Sequence, residues 1–336
     1  MHIAGDAHAT ARTLMNQLLR FVAVAALALS TRALAAPDSC RMPSDFDDPH
    51  LVIHDKTNAL FWVRPMQVDA DGSANAYHRD DPHGNKGLAI EYLGNGMTIF
   101  RDGEPLEFKL DEKDNGEWLS AYWSIVENGW KAPPGLTVDI YGVAKNRQGD
   151  VCVGPRGQLV SATSLSRRTV PDLCSQRRYF NALRFPGIVV PNRSDDEHSV
   201  ANADPEVAPP FAIRGVRRGD LAIAYNPSTG IWQGAFLYDT GPRELLGEGS
   251  IRLVMNLTGR KEVPTSAIET NSMGLVETFV LLFPRSVRDL GPEREWTPER
   301  IERAAARRFR QWGGGSITNA LKRLFACAET YRAQRP

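Results

Sequence analysis

One stretch, from Gly219 to Leu257, constrains the fold of this chain more than any other; it reads GDLAIAYNPSTGIWQGAFLYDTGPRELLGEGSIRLVMNL. Its apolar runs predict three strands, over Asp220–Tyr225, Gly234–Tyr238 and Ser250–Leu257. The segment Asn226–Gly230 is typical of a turn, because Asn, Pro, Ser and Gly each favour turn conformations for backbone reasons of their own. Short strands joined by such turns predict a β-barrel or a β-sandwich.

Two acids flank the loop between the second and third predicted strands. Asp239 follows one strand and Glu248 precedes the next, so the Gly- and Pro-containing loop could bring both carboxyl groups to one mouth of a barrel. Acid–base hydrolysis of a glycosidic bond requires at least two carboxyl groups that face each other across a groove. The alternative is that the Asp only hydrogen-bonds its own turn and that the Glu is solvated.

Several short motifs resemble, in the same order, those of glycoside hydrolase family 75, the fungal-type chitosanases. They are YDTGP and GEGS in the central stretch, GDLAIA just before it, and YGVAK and VSATSL further back. The resemblance extends roughly from Phe61 to Leu257, and it implies that Asp239 and Glu248 are the two catalytic acids. The strand–DxGP–strand pattern also resembles double-psi β-barrels. Together these resemblances imply a mainly β chain with a double-psi-like barrel core.

An acidic run, VDADGS at Val68–Ser73, places carboxylates at alternate positions. It does not fit a calcium loop, because its glycine comes too early and no Glu closes the loop at the required spacing. A V-D-x-D-G run before Ala-Tyr-His also occurs in the chitosanase family, where it implies an acidic loop facing the substrate. Asp69 and Asp71 are therefore candidates for contacting a cationic sugar, and Tyr77 and Thr240 are further candidates for substrate binding. The alternative for the acidic run is a solvated turn.

Composition and charge exclude some classes of protein. The 336 residues are 42% hydrophobic and 24% charged, which is typical of a globular protein long enough to bury a sizeable core. Forty basic and forty acidic residues leave no net charge, which does not favour nucleic-acid binding. The sequence contains no G-x-S-x-G, H-E-x-x-H or Walker motif. Ser161 and Ser164 have no obvious His or Asp partners, and the histidines, which lie in polar loops, are expected to be solvated.

The N-terminal segment has the pattern of an export signal. Arg12 and Arg20 precede the apolar run Phe21–Leu29, and Ala33–Ala35 matches an A-x-A cleavage signature. The apolar run is too short to cross a bilayer. We therefore expect residues 1–35 to be removed from a secreted or periplasmic monomer without a membrane span. The alternatives are an uncleaved anchor or a buried helix.

Four cysteines, Cys40, Cys152, Cys174 and Cys327, remain after this cleavage. An even number in an exported chain predicts disulfides, with three connectivities open. Pairing the second with the third would close a short loop, and pairing the first with the last would tie the two ends together. The alternative is free buried thiols. The spacing fits no zinc pattern, and the sequence predicts neither a metal nor a cofactor.

The region 94–132 is rich in aromatic residues. Aromatic rings can stack on sugars, but they are more often core residues, and the latter is the prediction here. The family motifs are weak in this region, which is consistent with an insertion. The residues concerned are Phe100, Phe108, Trp118, Tyr122, Trp123 and Trp130.

Further elements follow from periodicity and from capping residues. Asp172 is placed to cap a short helix over Asp172–Leu183. Period-two alternation or compact apolar runs predict additional strands over Leu136–Lys145, Val151–Val153, Leu159–Thr163, Gly187–Val190 and Met273–Phe283.

The C-terminal region predicts a helical hairpin. Thr297 is a typical N-cap followed by Pro at the first helical position, and Ile301 and later apolar residues recur at helical spacing. Three glycines end this helix, and Ser316 caps a second. The chain thus divides into a signal (1–35), a barrel domain with loop insertions (36–290) and a hairpin packed on the barrel (291–336).

The resemblance implies an endo-acting, inverting chitosanase, in which Glu248 is the general acid and Asp239 the general base. Two alternatives remain open on the sequence alone. One is an enzyme that cleaves another glycan, such as peptidoglycan, on the same barrel. The other is a non-catalytic carbohydrate-binding protein of the cell envelope, in which both acids are turn residues.

Overall fold

A computed structural model describes residues 40, 53–192, 206–242 and 245–333. The predicted signal segment lies outside these residues, as does Glu244. Within them, no helix is long and apolar enough to cross a membrane. The strands are β1 (Ile53–His54), β2 (Leu60–Asp69), β3 (Met97–Arg101), β4 (Glu104–Pro105), β5 (Leu136–Ile140), β6 (Gly187–Pro191), β7 (Leu221–Asn226), β8 (Ile231–Gly241), β9 (Glu248–Ser250) and β10 (Leu275–Phe283). The α-helices are α1 (Gly116–Glu127), α2 (Pro209–Ala212), α3 (Ile251–Thr258), α4 (Ala267–Ser272), α5 (Pro298–Trp312) and α6 (Ile317–Ala333). Short segments of 3-10 helix cover Leu93–Asn95, Glu112–Asp114, Gln176–Arg178, Ser286–Leu290 and Glu293–Glu295.

Six strands close into a barrel in the order β2–β10–β7–β8–β6–β9, with β9 pairing back onto β2. Two of the neighbouring pairs are parallel, β2 with β9 and β6 with β8. The remaining pairs are antiparallel. This closed barrel, followed by a C-terminal helical hairpin, confirms the predicted fold class of a mainly β chain with a double-psi-like core.

The β7–β8 hairpin confirms the predicted turn and extends the strand that follows it. The side-chain oxygen of Asn226 accepts the N–H of Ser228 at 3.0 Å, and Gly230 adopts a left-handed φ of 73° that favours glycine. Strand β8 continues to Gly241, three residues beyond its predicted end. Asp239 therefore belongs to the strand itself and not to a turn.

The predicted third strand over Ser250–Leu257 is wrong. Strand β9 ends at Ser250, and the next residues form α3. The hydroxyl of Ser250 accepts the N–H of Leu253 at 3.2 Å, and Gly259 ends the helix with a φ of 72°. The apolar residues of this segment suit a buried strand and a buried helix alike, so periodicity could not decide between them.

The predicted helix over Asp172–Leu183 is also wrong, because only Gln176–Arg178 forms one turn of 3-10 helix. The carboxylate of Asp172 accepts the N–H of Cys174 at 2.9 Å, a local turn that competes with helix formation. A disulfide to Cys152 fixes the same turn against a neighbouring segment.

The other predicted strands are confirmed to different degrees. Gly187–Val190 and Met273–Phe283 correspond to β6 and β10. The strand predicted over Leu136–Lys145 ends at Ile140. The two short segments after it form isolated bridges only, which are Val143 with Ser161, Lys145 with Val151, and Val153 with Leu159.

The C-terminal hairpin packs on the barrel as predicted. Helix α5 lies against β7 and β8, and α6 lies against β2 and β10. The approach of α5 is close, since a Cβ on Gly234 would lie 3.0 Å from the backbone of Glu302. On the other helix, a guanidinium nitrogen of Arg323 donates to Asp55 at 2.7 Å, and the indole N–H of Trp312 donates to the same carboxylate oxygen.

Both disulfides have formed, which resolves the connectivity that the sequence left open. Cys40 pairs with Cys327, and Cys152 pairs with Cys174, with Cα–Cα distances of 5.3 and 5.2 Å. All four cysteines are among the described residues, and none of them is free. The first bond ties the chain before β1 to α6, on the side of the barrel where Asp55 holds the hairpin.

The aromatic region forms a small unit beside the barrel, consisting of the sheet β4–β3–β5 and helix α1. Trp118 and Tyr122 are fully buried and stacked, with ring centroids 5.2 Å apart. Phe108 and Trp130 pack against them from the side. The prediction that these rings are core residues is confirmed for this cluster.

Candidate active site

Three adjacent strands bring Asp239 and Glu248 to one face of the sheet. Val189 on β6 pairs in parallel with Asp239 on β8 and antiparallel with Glu248 on β9. Residues paired across strands project from the same face. Each strand adds about 4.8 Å, so the two backbones lie roughly 10 Å apart with Val189 between them.

The carboxyl group of Glu248 reaches across this gap toward β8. A Cβ added to Gly241 would collide with Oε2 of Glu248 and lie 3.1 Å from a methyl group of Val189. Gly241 is two residues beyond Asp239 and therefore projects from the same face of β8, about 6.6 Å further along the strand. The absence of a side chain at Gly241 gives the Glu248 carboxyl its place beside Asp239.

Asp69 lies at the same end of the barrel. In the parallel pairing of β2 with β9, Gln67 lies opposite Glu248 and Asp69 opposite Ser250. One oxygen of the Asp69 carboxyl accepts the phenol O–H of Tyr238 at 2.6 Å. The other accepts the N–H of Asp71 at 2.8 Å. The carboxyl of Asp69 thus connects the strands on either side of the cluster.

A β-bulge explains how neighbouring residues of β8 both reach the cluster. Ile188 pairs with Leu237, but Val189 already pairs with Asp239, so Tyr238 has no partner on β6. Such a bulge re-aims side chains locally. It also requires a glycine beside it, because a Cβ on Gly187 would collide with the Tyr238 ring.

The predicted substrate-facing loop is held rigidly against a second segment. The hydroxyl of Ser161 donates to Asp71 at 2.9 Å and accepts the N–H of Gly72 at 3.0 Å. The side-chain amide of Gln176 donates to the carbonyls of Gly72 and Ser161. Tyr77 is buried and lies close enough to Asp71 for a side-chain hydrogen bond. The alternative of a solvated turn therefore does not describe this loop.

Asp239 is fixed by backbone donors. One of its carboxylate oxygens accepts the N–H of Ser164 at 2.9 Å and the N–H of Thr240 at 2.7 Å. The side chain of Thr240 projects from the opposite face of the strand, because successive residues alternate. A role for the Thr240 side chain in substrate binding stays a prediction.

Glu91, which is not among the predicted site residues, also belongs to the cluster. It is 5% exposed, and one of its oxygens accepts the N–H of Tyr92 at 2.9 Å and the amide of Asn95 at 2.8 Å. The signal for it was an acid inside the apolar run Leu88–Leu93, because a charged residue in such a run is buried only at a cost.

Burial shifts the protonation of all five carboxyl groups in the same direction. It raises the pKa of Asp239 and the pKa of Glu91 to about 8. Burial also raises the pKa of Glu248 and of Asp71 well above the usual range, and that of Asp69 to a lesser degree. The charge of Asp69 adds to the rise at the four others. Within the described ranges, no Lys, Arg or His forms an ion pair with any of the five.

The acids of the cluster differ in their exposure to solvent. Asp69, Asp71 and Glu248 are half-buried, while Asp239 and Glu91 are 6% and 5% exposed. Among the residues that the structure describes, no group of three or more His, Cys, Asp and Glu is arranged to hold a metal ion.

The expectation of solvated histidines is wrong for two of them. His78 is 7% exposed, and its Nε2 lies 2.7 Å from the carbonyl of Arg156. His83 is 2% exposed and stacks on Phe108, with ring centroids 4.9 Å apart. Both are packing residues of the loops beside the barrel.

The chain was also compared with known proteins. No family model matches it, and no curated protein matches it. The resemblance to fungal-type chitosanases is therefore a hypothesis that depends on the motifs and on the geometry of the site.

Proposed function

We propose that this chain is a glycoside hydrolase that cleaves chitosan-like polymers of glucosamine at internal bonds, with inversion of configuration. One observation carries the proposal. Asp239 and Glu248 project from one face at one end of the barrel and lie beside each other, within a cluster of acids that has no cationic partner among the described residues. Such a pair can protonate a leaving oxygen and activate a water.

Hydrogen-bond donors support the proposed roles of the two acids. Asp239 accepts two backbone N–H groups, which stabilise its ionised form. Within the described part of the chain, the Glu248 carboxyl accepts no hydrogen bond, so nothing there compensates its desolvation. Asp239 therefore ionises before Glu248 and serves as the general base. Glu248 keeps its proton and serves as the general acid.

The spacing of the strands favours inversion over retention. Inverting enzymes separate their carboxyl groups by about 6.5–9.5 Å to admit a water, and retaining enzymes by about 5–5.5 Å. Here one strand lies between the two catalytic strands, and the Glu248 carboxyl reaches the position of Gly241, about 6.6 Å along β8 from Asp239. This separation suits an inverting enzyme.

The other acids favour a cationic substrate. Free amines of glucosamine carry positive charge, and a nearby cation favours the ionised form of a carboxyl group. Asp69 and Asp71 are half-buried members of the cluster, and a bound amine would offset their repulsion. Binding of such a sugar should therefore lower the pKa of the cluster and release protons.

The substrate class is tested by measuring reducing ends released from chitosan, chitin and peptidoglycan side by side. We expect release from chitosan and α-anomeric product in the first minutes, observed by proton NMR, if the cleaved bond is β. Cleavage of peptidoglycan alone would show that the barrel belongs to an enzyme that acts on another glycan. Binding of chitosan without cleavage, unchanged in Asp239→Asn, would identify a binding protein.

We also propose that the chain is exported. The two disulfides support this, because such bonds persist in oxidising compartments. N-terminal sequencing of the mature protein should begin directly after Ala35. A mature chain that retains the apolar run would contradict cleavage.

A further inference from the structure

We infer that Asp69 is a positioning residue, which holds the negative charge of the acid cluster and thereby keeps the proton on Glu248. For its catalytic consequence this inference rests on the proposed function, in which Glu248 is the general acid. Its electrostatic content can be measured in the protein without substrate.

The hydrogen bonds of Asp69 suit a carboxylate. Each of its two oxygens accepts a donor, the N–H of Asp71 on one and the O–H of Tyr238 on the other. Tyr238 is fully buried, and burial, followed by the charge of Asp69, raises the pKa of its phenol well above the usual value. The phenol therefore stays a donor, and the negative charge on Asp69 is satisfied from both sides.

Glu248 has the opposite environment. Within the described part of the chain its carboxyl accepts no hydrogen bond, although it is half-buried between β6 and β8. Its strand pairs with β2, so Asp69 lies two residues beyond the partner of Glu248, on the same face. Their Cα atoms are about 8 Å apart, from a strand spacing of about 4.8 Å and a rise of about 6.6 Å. A like charge at this range disfavours ionisation of Glu248.

No positive group weakens this effect within the described residues. The groups that face Asp69 are acids and phenols from every neighbouring element. They are Asp71 and Tyr77 from the segment after β2, Glu91 from the segment before the turn Leu93–Asn95, Tyr238 and Asp239 from β8, and Glu248 from β9.

The direct test is a carbon-13 NMR titration of the Glu248 carboxyl in the full-length protein without substrate, with the resonance assigned by its loss in Glu248→Gln. In Asp69→Asn we expect the titration midpoint of Glu248 to fall by about one pH unit or more, a tenfold or greater rise in its acid constant. Tyr238→Phe should move the midpoint in the same direction by less, because Asp69 then loses one donor. In the double variant Asp69→Asn with Tyr238→Phe, the Glu248 midpoint should be the same as in Asp69→Asn alone.

Asp81→Asn is the matched control. Asp81 is a fully buried aspartate whose carboxylate accepts the N–H groups of Asn85 and Ala89 and belongs to no part of the cluster. Its variant should leave the midpoint of Glu248 in place. An unchanged midpoint in folded Asp69→Asn, or an equal shift in Asp81→Asn, would overturn the inference. If Asp69→Asn does not fold, Tyr238→Phe alone decides, and an unchanged midpoint there overturns it.

The catalytic consequence is read from the pH profile of kcat/KM. The general acid sets the basic limb, so Asp69→Asn should move that limb to lower pH while the rate at acidic pH stays within a few-fold. An equal loss of kcat/KM at every pH would contradict the inference and indicate that Asp69 only supports the structure. A raised KM with an unmoved basic limb would also contradict it and indicate that Asp69 contacts the amine directly. If the parent protein cleaves no glycan, the proposed function fails, and the NMR titration still decides the electrostatic part.

Discussion

At the scale of single residues, the buried acids cost stability in a pH-dependent way. Glu91 has a pKa of about 8, raised by burial first, whereas in the unfolded chain it has the usual value near 4.5. Between these values the folded state binds more protons than the unfolded state, so stability falls as the pH rises through this window. We expect the free energy of unfolding in urea to decline from pH 5 to pH 8. Glu91→Gln should reduce this decline by roughly 3 kcal/mol, because the amide stays neutral.

The matched control for this measurement is Asp80→Asn. The pKa of Asp80 is lowered, chiefly by its hydrogen bond with Arg79. A lowered pKa contributes stability that is present above the unfolded value and is lost only at lower pH, so this variant should keep the slope between pH 5 and pH 8. If the free energy of unfolding has the same slope against pH in the parent protein and in Glu91→Gln, Glu91 does not titrate in this window.

At the scale of secondary-structure elements, glycines determine how the acids meet. A Cβ on Gly241 would displace the end of the Glu248 side chain, which is flexible, so Gly241→Ala should fold with less than about 1.5 kcal/mol lost. Its kcat should nevertheless fall at least tenfold, because the acid no longer lies beside Asp239. Gly116→Ala is the control, since nothing lies within 4 Å of its added Cβ. Unchanged kcat in Gly241→Ala would show that Glu248 acts from another position.

The sequence predicted those elements whose signals are local. Turn residues indicate the β7–β8 hairpin, and capping residues indicate the last two helices. The segment after Ser250 was wrongly predicted, because its apolar residues fit both periodicities and the decision came from the Ser250 cap and Gly259. The bulge at Tyr238 depends on the register of β6 on β8, which no local pattern specifies. The apolar run around Glu91 indicates burial, but it does not indicate that Glu91 lies beside the acids of the barrel.

At the scale of the whole molecule, two disulfides close loops of very different length. They join residues separated by 287 and 22 positions. The chain-entropy relation gives roughly 5.7 and 3.4 kcal/mol for these loops. Replacing both Cys40 and Cys327 by Ala should therefore cost about 2 kcal/mol more in urea unfolding than replacing Cys152 and Cys174. Equal costs would show that native contacts, and not the length of the closed loop, set the contribution.

The division of the chain into a barrel domain and a hairpin at 290/291 stays a prediction. Helix α5 packs closely on β8, and Asp55 bonds both helices of the hairpin. The same strand β8 carries Asp239. The hairpin therefore supports, from the outer side, the strand on which the proposed general base lies.

The central proposal is that Asp239 and Glu248 act as a catalytic pair. The most direct test is the kcat for release of reducing ends from chitosan by the parent protein, Asp239→Asn and Glu248→Gln, with Glu244→Gln as the control from the same loop of the sequence. We expect each of the first two variants to lose at least about 10²–10⁴-fold in kcat, and the control to stay within a few-fold of the parent. Loss of activity in Glu244→Gln with full activity in Glu248→Gln would contradict the pair.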